Sequence, residues 1–284
     1  MRRAAFALVA ASCAAVAAAC SLLTPVDDLL AKDSGAPDVQ PIDSGVPDVV
    51  LDVQPADTGP DAGCGTMGPT SGLVGYWPMD EGQGTKVHDC TSNHLDGTFV
   101  ALPDGGLPWT QGRVGGAIAV TDGPAGCVDI PLPPTIRLLD AWSVSAWMNV
   151  ASYGANGNYG YLVSHNKASP AAGTWRVATL APQSVEIAGA WDGGNLTLAG
   201  AGPAVMAWTH VAAVFRPGAA VELYVNGQVV AARTTNVPMA FLDDMSGLRI
   251  GCRGDGQLPL HGAVDEVRVY ASALSIADIA ALAQ

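Results

Sequence analysis

Asp265 is the side chain whose chemistry most clearly requires a partner. It lies in residues 262–270, where period-two alternation predicts a β-strand and places Asp265 on the same face as Val267 and Val269. An ionised carboxylate that faces an apolar core costs free energy unless a charged or hydrogen-bond-donating group meets it. We therefore expect Asp265 to be paired, and a metal cation is one possible partner.

Aromatic side chains in polar surroundings could stack on the apolar faces of sugar rings. The chain has seven tryptophans. Trp147 alternates with serine and asparagine along residues 142–150, so it either lines a semi-polar surface or packs under a loop. The other candidates lie in or beside glycine-rich segments that indicate loops, where binding residues are often found: Tyr153, Tyr159 and Trp191.

Carboxylates and histidines with catalytic spacing are scarce. Glycosidases need paired carboxylates across the scissile bond, and no glutamate of this chain lies in a Glu-x-Asp-x-x-Glu pattern. The histidines lack the metalloprotease spacing, and the sequence has no Gly-x-Ser-x-Gly motif. We therefore predict that the protein is not an enzyme, with a glycoside hydrolase as the less favoured alternative.

The elements that must position these residues are mostly strands. Short apolar-alternating runs separated by turn signals, without helical patterns between them, predict an antiparallel β-sandwich of at least nine strands. Asn226-Gly227 predicts a type I′ hairpin turn. Only the last ten residues have a helical pattern, and Ser275 followed by Asp278 predicts the N-cap of a short C-terminal helix.

The N-terminus predicts export. Arg2 and Arg3 precede an uncharged, alanine-rich run, so residues 1–19 are typical of a signal peptide. Residues 17–20 resemble the lipobox of bacterial lipoproteins, although Ala17 stands where that family usually has leucine. This resemblance implies lipidation of Cys20, membrane attachment through the lipid and, with Ser21 next, sorting to the outer membrane. The alternatives are an ordinary cleaved signal and an uncleaved membrane anchor.

Residues 20–71 have a different composition. A crude ten-residue repeat, seen at 33–41 and 43–50, carries regularly spaced aspartates opposed by a single basic residue, Lys32. Such a segment buries too little apolar surface to fold, and its prolines and like charges keep it extended. We expect a disordered tether that ends where a domain of residues 72–284 begins, which is long enough for one sizeable core.

Four cysteines remain for the folded part once Cys20 is assigned to lipid and Cys13 is removed with the signal. An even number in an exported chain predicts two disulfides, and three pairings are possible. We favour one bond between two strands of a sheet and one that fixes the end of the tether to the first loop: Cys127 with Cys252, and Cys64 with Cys90.

Five segments in series resemble a known family. They are residues 72–85, 141–147, 208–212, 223–227 and 262–270, which begin GLVGYWPMDEG, AWSVSAW, WTHVA, LYVNG and GAVDEVRVY. Together they resemble the concanavalin A-like, laminin-G-like jelly-roll domain that is common in bacterial surface proteins. The resemblance implies an all-β, antiparallel jelly-roll sandwich, and it covers the whole of 72–284. The family spans lectins, adhesion modules and carbohydrate-binding appendages, so the fold alone does not fix function.

The resemblance also implies a structural calcium ion, since related jelly rolls often carry one between the first and last strands. The implied ligands here are the side chains of Asp80, Asn93 and Asp265 and the carbonyl of His94, because calcium prefers hard oxygen ligands. The alternative is that Asp80 forms a turn and that Asp265 accepts backbone N–H bonds from residues 93–97.

These observations predict an envelope lipoprotein that displays a binding module, with a glycan as the favoured ligand. The alternative is a structural or protein-binding module of the envelope whose tryptophans are buried. Nucleic acid is disfavoured as a partner, because the net charge is −13 and the sequence has no basic cluster.

Overall fold

A computed structural model describes residues 64–66, 68–104, 106–121, 123–153, 159–165, 174–243 and 247–284. This part consists of sixteen strands in two antiparallel sheets, followed by one short helix. The strands are β1 Leu73–Trp77, β2 Lys86–Val87, β3 Gly97–Phe99, β4 Trp109–Gln111, β5 Gly116–Val120, β6 Val128–Ile130, β7 Trp142–Val150, β8 Tyr159–His165, β9 Trp175–Leu180, β10 Ser184–Trp191, β11 Gly194–Ala201, β12 Trp208–Arg216, β13 Ala220–Val225, β14 Gln228–Arg233, β15 Leu248–Ile250 and β16 Gly262–Tyr270, and the helix is α1 Ile276–Leu282.

The two sheets confirm the predicted antiparallel jelly-roll sandwich. Sheet A has the order β14-β13-β12-β7-β16-β5-β4, with β1 paired to β16, and sheet B has the order β11-β10-β9-β8-β15-β6-β3-β2. Apolar side chains at alternate strand positions meet between the sheets. At the centre Trp142 of sheet A stacks on Trp175 of sheet B, with ring centroids 4.1 Å apart.

The strands with clear alternation match the sequence prediction, and the others were missed. The hairpin at Asn226-Gly227 is present, with positive φ at both residues. The strands β2, β3, β4 and β6 are two or three residues long, which is too short to show an alternating pattern in the sequence. Residues 159–165 form β8, so the interpretation of the glycine-rich segment around Tyr153 and Tyr159 as a loop is wrong from Tyr159 onward.

The predicted orientation of Asp265 is wrong, because β16 contains a β-bulge next to this residue. The register against β7 shifts between Asp265 and Arg268, and Glu266 has a φ of +56°. Val264 and Val267 both join the core between the sheets, while the two acidic residues between them lie on the outer face of sheet A. Asp265 therefore does not share the face of Val267 and Val269.

The C-terminal helix begins as predicted. Ser275 is its N-cap, and Ser275 and Asp278 form a reciprocal capping box. Ile279 and Leu282 are buried on the outer face of sheet A, in a second apolar cluster with Tyr224 and Tyr270.

Both predicted disulfides are present. Cys64 bonds to Cys90, and Cys127 bonds to Cys252. Disulfides are typical of extracellular or exported proteins. The signal peptide, Cys20 and almost all of the tether lie outside the described residues. Within the described ranges no helix is long and apolar enough to cross a membrane.

Candidate functional site

The carboxylate of Asp265 lies against the turn between β4 and β5. Its Oδ2 atom accepts hydrogen bonds from the backbone N–H groups of Arg113, at 2.8 Å, and Val114, at 3.0 Å. A Cβ at Gly112 would lie 2.7 Å from this oxygen, so the turn needs glycine there. The Oδ1 atom is buried and has no hydrogen-bond partner among the described residues.

Asp80 holds the other side of the same turn. Its Oδ1 atom accepts the backbone N–H of Gly116 at 2.5 Å. Gly115 has a φ of +58°, and a Cβ on it would lie 2.2 Å from that oxygen. The turn at 112–116 therefore brings Asp80 and Asp265, which are far apart in sequence, into one site.

The surroundings of Asp265 disfavour its ionised form. Burial raises the pKa of Asp265 to about 7, and repulsion from Glu266 and Asp80 adds to the effect. The two backbone N–H bonds act in the opposite direction, but they are weaker than the effect of burial. Burial also raises the pKa of Asp80, which is less enclosed.

Asn93 and His94 belong to a different loop, which is organised by Asp89. Both oxygens of Asp89 accept backbone N–H bonds, from Tyr76 and from residues 91 and 95. The Asn93 amide donates to the Val74 carbonyl at 2.8 Å. No hydrogen bond or ion pair in the described part joins this loop to Asp265. The hydrogen bonds thus link Asp80 and Asp265 to one turn, and they leave Asn93 and His94 outside that site.

The fit of calcium to these residues is therefore partial. Asp265 offers a buried oxygen without a partner, and a second carboxylate, Asp80, lies close enough to repel it. No hydrogen bond in the described ranges joins Asn93 or His94 to Asp80 or Asp265, and these ranges contain no group of three or more His, Cys, Asp or Glu residues that could hold a metal. The alternative is correct in that Asp265 accepts backbone N–H bonds, but these come from residues 113–114 instead of 93–97.

Trp147 does not line an open surface. It is only 8% exposed, and the guanidinium of Arg113 covers its ring at 4.7 Å from the centroid. The edge of the ring meets His210, with centroids 5.6 Å apart. Packing under a loop is therefore the correct alternative, because the 112–116 turn lies above this part of sheet A.

A buried polar cluster that the sequence interpretation missed lies beside it. Glu266 accepts hydrogen bonds from the Tyr76 hydroxyl, at 2.8 Å, and from Arg268, at 2.7 Å. Arg268 also lies 3.9 Å from the Tyr76 ring centroid and donates to the Thr66 carbonyl. The segment that follows Cys64 is thereby held on the outer face of sheet A, a part of which α1 already covers.

The outer face of sheet B has a different character. Strand register aligns one row of residues across it, and most of the row is polar: Thr98, Asp129, Arg249, Ser164, Arg176, Ala188 and Thr197. Arg176 is the centre of a cluster on this face. It forms a 2.8 Å ion pair with Glu186 and lies over the rings of Tyr159 and Tyr161, at 4.8 and 5.5 Å.

Of the four aromatic candidates, only Tyr159 joins this cluster. Tyr153 is half-buried, and its hydroxyl donates to the Pro203 carbonyl at 2.5 Å. Trp191 is half-buried at the end of β10, where it packs against the core and lies over Gly193 in the following turn. Arg176 and Glu186 had no motif in the sequence. Their only signal was charge at alternate positions of strands that are otherwise apolar.

A sequence profile described as the concanavalin A-like lectin/glucanases superfamily matches residues 122–280, which is more than half of the chain. The chain belongs to this superfamily. A search of curated proteins found no match.

Several solved structures have a fold similar to that of this chain. The binding domain of Paraclostridial Mosquitocidal Protein 1 has a TM-score of 0.58 and 15% identity over 75% of this chain and 52% of its own. Domain 4 of an extracellular arabinanase from Geobacillus stearothermophilus, in complex with arabinotriose, has a TM-score of 0.53 and 21% identity over 76% of this chain and all of its own. Trypanosoma rangeli sialidase has a TM-score of 0.55 and 17% identity over 76% of this chain, which spans 33% of the sialidase.

These likenesses show the fold alone, since superfamily members of one fold differ in what they bind. In this member the two outer faces of the sandwich differ. Part of sheet A is covered by α1 and by the segment after Cys64, while sheet B carries a mostly buried cluster of charged and aromatic groups.

Proposed function

We propose that the protein is an exported glycan-binding module that uses the outer face of sheet B. The observation that carries the proposal is the Arg176 cluster, in which a guanidinium, a carboxylate and the ring of Tyr159 lie on one face. Polar groups that fix orientation, together with an aromatic surface, are what a sugar site needs. The complex of the arabinanase domain with arabinotriose adds support, because that domain has the same fold.

The coverage of sheet A also supports this choice of face. Helix α1 and the segment after Cys64 pack on sheet A. These elements leave less of the outer face of sheet A open to a ligand.

A glycan array probed with the full-length chain tests the proposal. We expect binding to a restricted set of glycans, and we expect Thr197→Trp to abolish it, because Thr197 is exposed in the polar row beside Arg176. The matched control is Ile276→Trp, another exposed position, which lies on helix α1 and should bind as the wild type does. Absence of any glycan binding would overturn the proposal in favour of a protein-binding module. Hydrolysis of a bound glycan would favour the glycoside hydrolase.

We also propose that Cys20 carries a lipid that anchors the protein in the outer membrane. The support is the lipobox-like sequence that ends at Cys20, with Ser21 after it. Metabolic labelling with palmitate should mark the wild type and not Cys20→Ser, and outer-membrane fractions should lose the variant. Equal labelling of both would contradict the anchor.

A calcium ion at Asp265 and Asp80 is a second proposal. It rests on the unpartnered Oδ1 atom of Asp265, since a cation there would offset a buried negative charge. Calcium should raise the melting temperature of the wild type and leave that of Asp265→Asn unchanged. Asp129→Asn is the control, because this exposed carboxylate lies on sheet B. A wild-type midpoint that is insensitive to calcium would contradict the proposal.

A further inference from the structure

Strand β11 forms one edge of sheet B and lacks the features that usually protect an edge strand. Its eight residues, Gly194–Ala201, contain neither a charged side chain nor proline. They pair with β10 at every position without a register shift. Edge strands are normally short, bulged, charged or covered, because their free N–H and C=O groups can pair with another strand. The sequence and regularity of β11 therefore suit it to such pairing.

The other terminal strands have at least one of these protections. The strands β2 and β4 have two and three residues. Strand β14 contains a register shift against β13. Strand β1 is covered by residues 89–93, which form hydrogen bonds with Val74 and Tyr76. Among the sheet edges that the structure describes, only β11 is long, regular and uncharged.

The hydrogen bonds of β10 show which backbone groups of β11 point outward. Hydrogen-bonded and non-hydrogen-bonded positions alternate along an antiparallel pair. Just beyond β11, Gly202 donates to the Gln183 carbonyl, so this position is hydrogen-bonded. Ala190, which lies opposite Asn195, instead bonds through both of its backbone groups to residues outside β11. The residues whose N–H and C=O groups point away from β10 are thus 195, 197, 199 and 201.

These outward groups have no backbone hydrogen-bond partner within the described ranges. The net charge of the chain is −13, so two copies repel one another over much of their surface. Strand β11 itself is uncharged, and the carboxylate of Glu186, which lies opposite Ala199, is buried and paired with Arg176 at 2.8 Å. Approach of a second copy along the middle of β11 therefore adds little repulsion.

The strand is also complementary to itself. When two copies pair antiparallel around a two-fold axis at Leu198, residue 195 faces 201 and residue 197 faces 199. All outward donors and acceptors then meet partners, which gives about eight hydrogen bonds. Leu198, which is half-buried against the core, meets the same leucine of the other copy. We propose that β11 pairs in this way with a second copy of the chain, so that the two B sheets form one continuous sheet.

In this dimer the outer faces of both B sheets lie on the same side, because the two-fold axis is perpendicular to the sheet. Arg176 is in β9, two strands from β11. Five strand spacings, roughly 24 Å in all, therefore separate the two Arg176 clusters. The dimer doubles the surface proposed above for a glycan, but the pairing of β11 does not depend on glycan binding.

Sedimentation velocity of the full-length chain over a range of concentrations tests the dimer. All samples carry Cys20→Ser, which removes the proposed lipid. We expect the mass to rise from one chain to two as the concentration increases. Ala199→Glu should weaken this association at least about tenfold, because it places two carboxylates close to the axis. Ala277→Glu, which adds the same charge at an exposed alanine of α1, is the matched control and should associate as the parent chain does.

Ala199→Pro is a second variant that acts on the backbone. Proline is tolerated in an edge strand where the lost N–H faces outward, so the monomer should keep its melting temperature. The dimer should be lost, because a hydrogen bond disappears on each side of the axis and the ring occupies its place. Association that neither Ala199→Pro nor Ala199→Glu weakens would place the interface elsewhere and overturn the proposal.

Hydrogen exchange identifies what occupies the edge. The amides of residues 195, 197, 199 and 201 should exchange slowly in the dimer and rapidly after dilution to the monomer. A chain that stays monomeric at every concentration would overturn the proposal. In that case protected amides would show that another segment of the same chain covers β11, and rapid exchange would leave the edge to a different protein. Each of these results leaves the glycan array unaffected, so the two proposals fail separately.

Discussion

His210 is a buried residue whose protonation links the structure to pH. It is 1% exposed on the outer face of sheet A, and its Nε2 atom shares a 2.8 Å hydrogen bond with Ser145 Oγ. The Nδ1 atom is buried and unpartnered among the described residues. Burial lowers the pKa of His210 to about 4, and the nearby charge of Arg268 adds to the shift. The imidazole is therefore neutral at pH 7.

Stability should fall on acidification because of this residue. The unfolded chain binds a proton at His210 below about pH 6.5, whereas the folded chain does so only below about pH 4. The contribution of neutral His210 is thus complete above pH 6.5 and is lost as the pH falls towards 4. The total loss is roughly 3 kcal/mol, at about 1.4 kcal/mol per pKa unit.

Urea unfolding of the wild type and of His210→Gln at several pH values between 7.5 and 4.5 measures this loss. The stability difference between the two proteins is the relevant quantity, because Asp265 acts in the opposite sense. Its raised pKa makes the folded state bind protons more readily, so Asp265 favours folding as the pH falls from about 7 to 4. A difference that is the same at all pH values would contradict the prediction.

At the scale of elements, helix α1 acts as a cover for sheet A. Ile279 is fully buried against the sheet, whereas Ile276, three residues earlier, is 62% exposed. Ile279→Ala should lower the free energy of unfolding by about 2–4 kcal/mol, since it removes buried methyl groups and leaves a cavity. Ile276→Ala is the matched control and should change it by less than about 0.5 kcal/mol. Equal effects in urea unfolding would show that the helix does not pack on the sheet.

Local features of the elements could be predicted from the sequence, and features set by tertiary contacts could not. The hairpin at 226–227 and the capping box of α1 depend on neighbouring residues, so their sequence signals suffice. The bulge at Glu266 has no such signal, because period-two alternation continues through it, and the face of Asp265 was therefore predicted wrongly. The need of Asp265 for a partner followed from its chemistry.

At the scale of the whole molecule, the order of five weak motifs was enough to indicate the fold. The cluster on sheet B could not be predicted in the same way. Tyr159, Arg176 and Glu186 come from three strands, and none of them lies in a recognisable motif. Trp147, by contrast, had a suggestive pattern and is covered by Arg113, a residue of a distant turn. Alternation shows which residues share a face, but it does not show what covers that face.

The two disulfides constrain the chain over different lengths. Cys127 and Cys252 are 125 residues apart and link the residue before β6 of sheet B to the segment after β15, whereas Cys64 and Cys90 are 26 apart. A longer loop loses more entropy in the unfolded chain when it is closed, and for these lengths the difference is roughly 1–1.5 kcal/mol. Cys127 and Cys252 are also fully buried, so their replacement by alanine leaves a cavity as well. Urea unfolding should therefore show a larger loss for Cys127→Ala/Cys252→Ala than for Cys64→Ala/Cys90→Ala, and the reverse order would contradict this account.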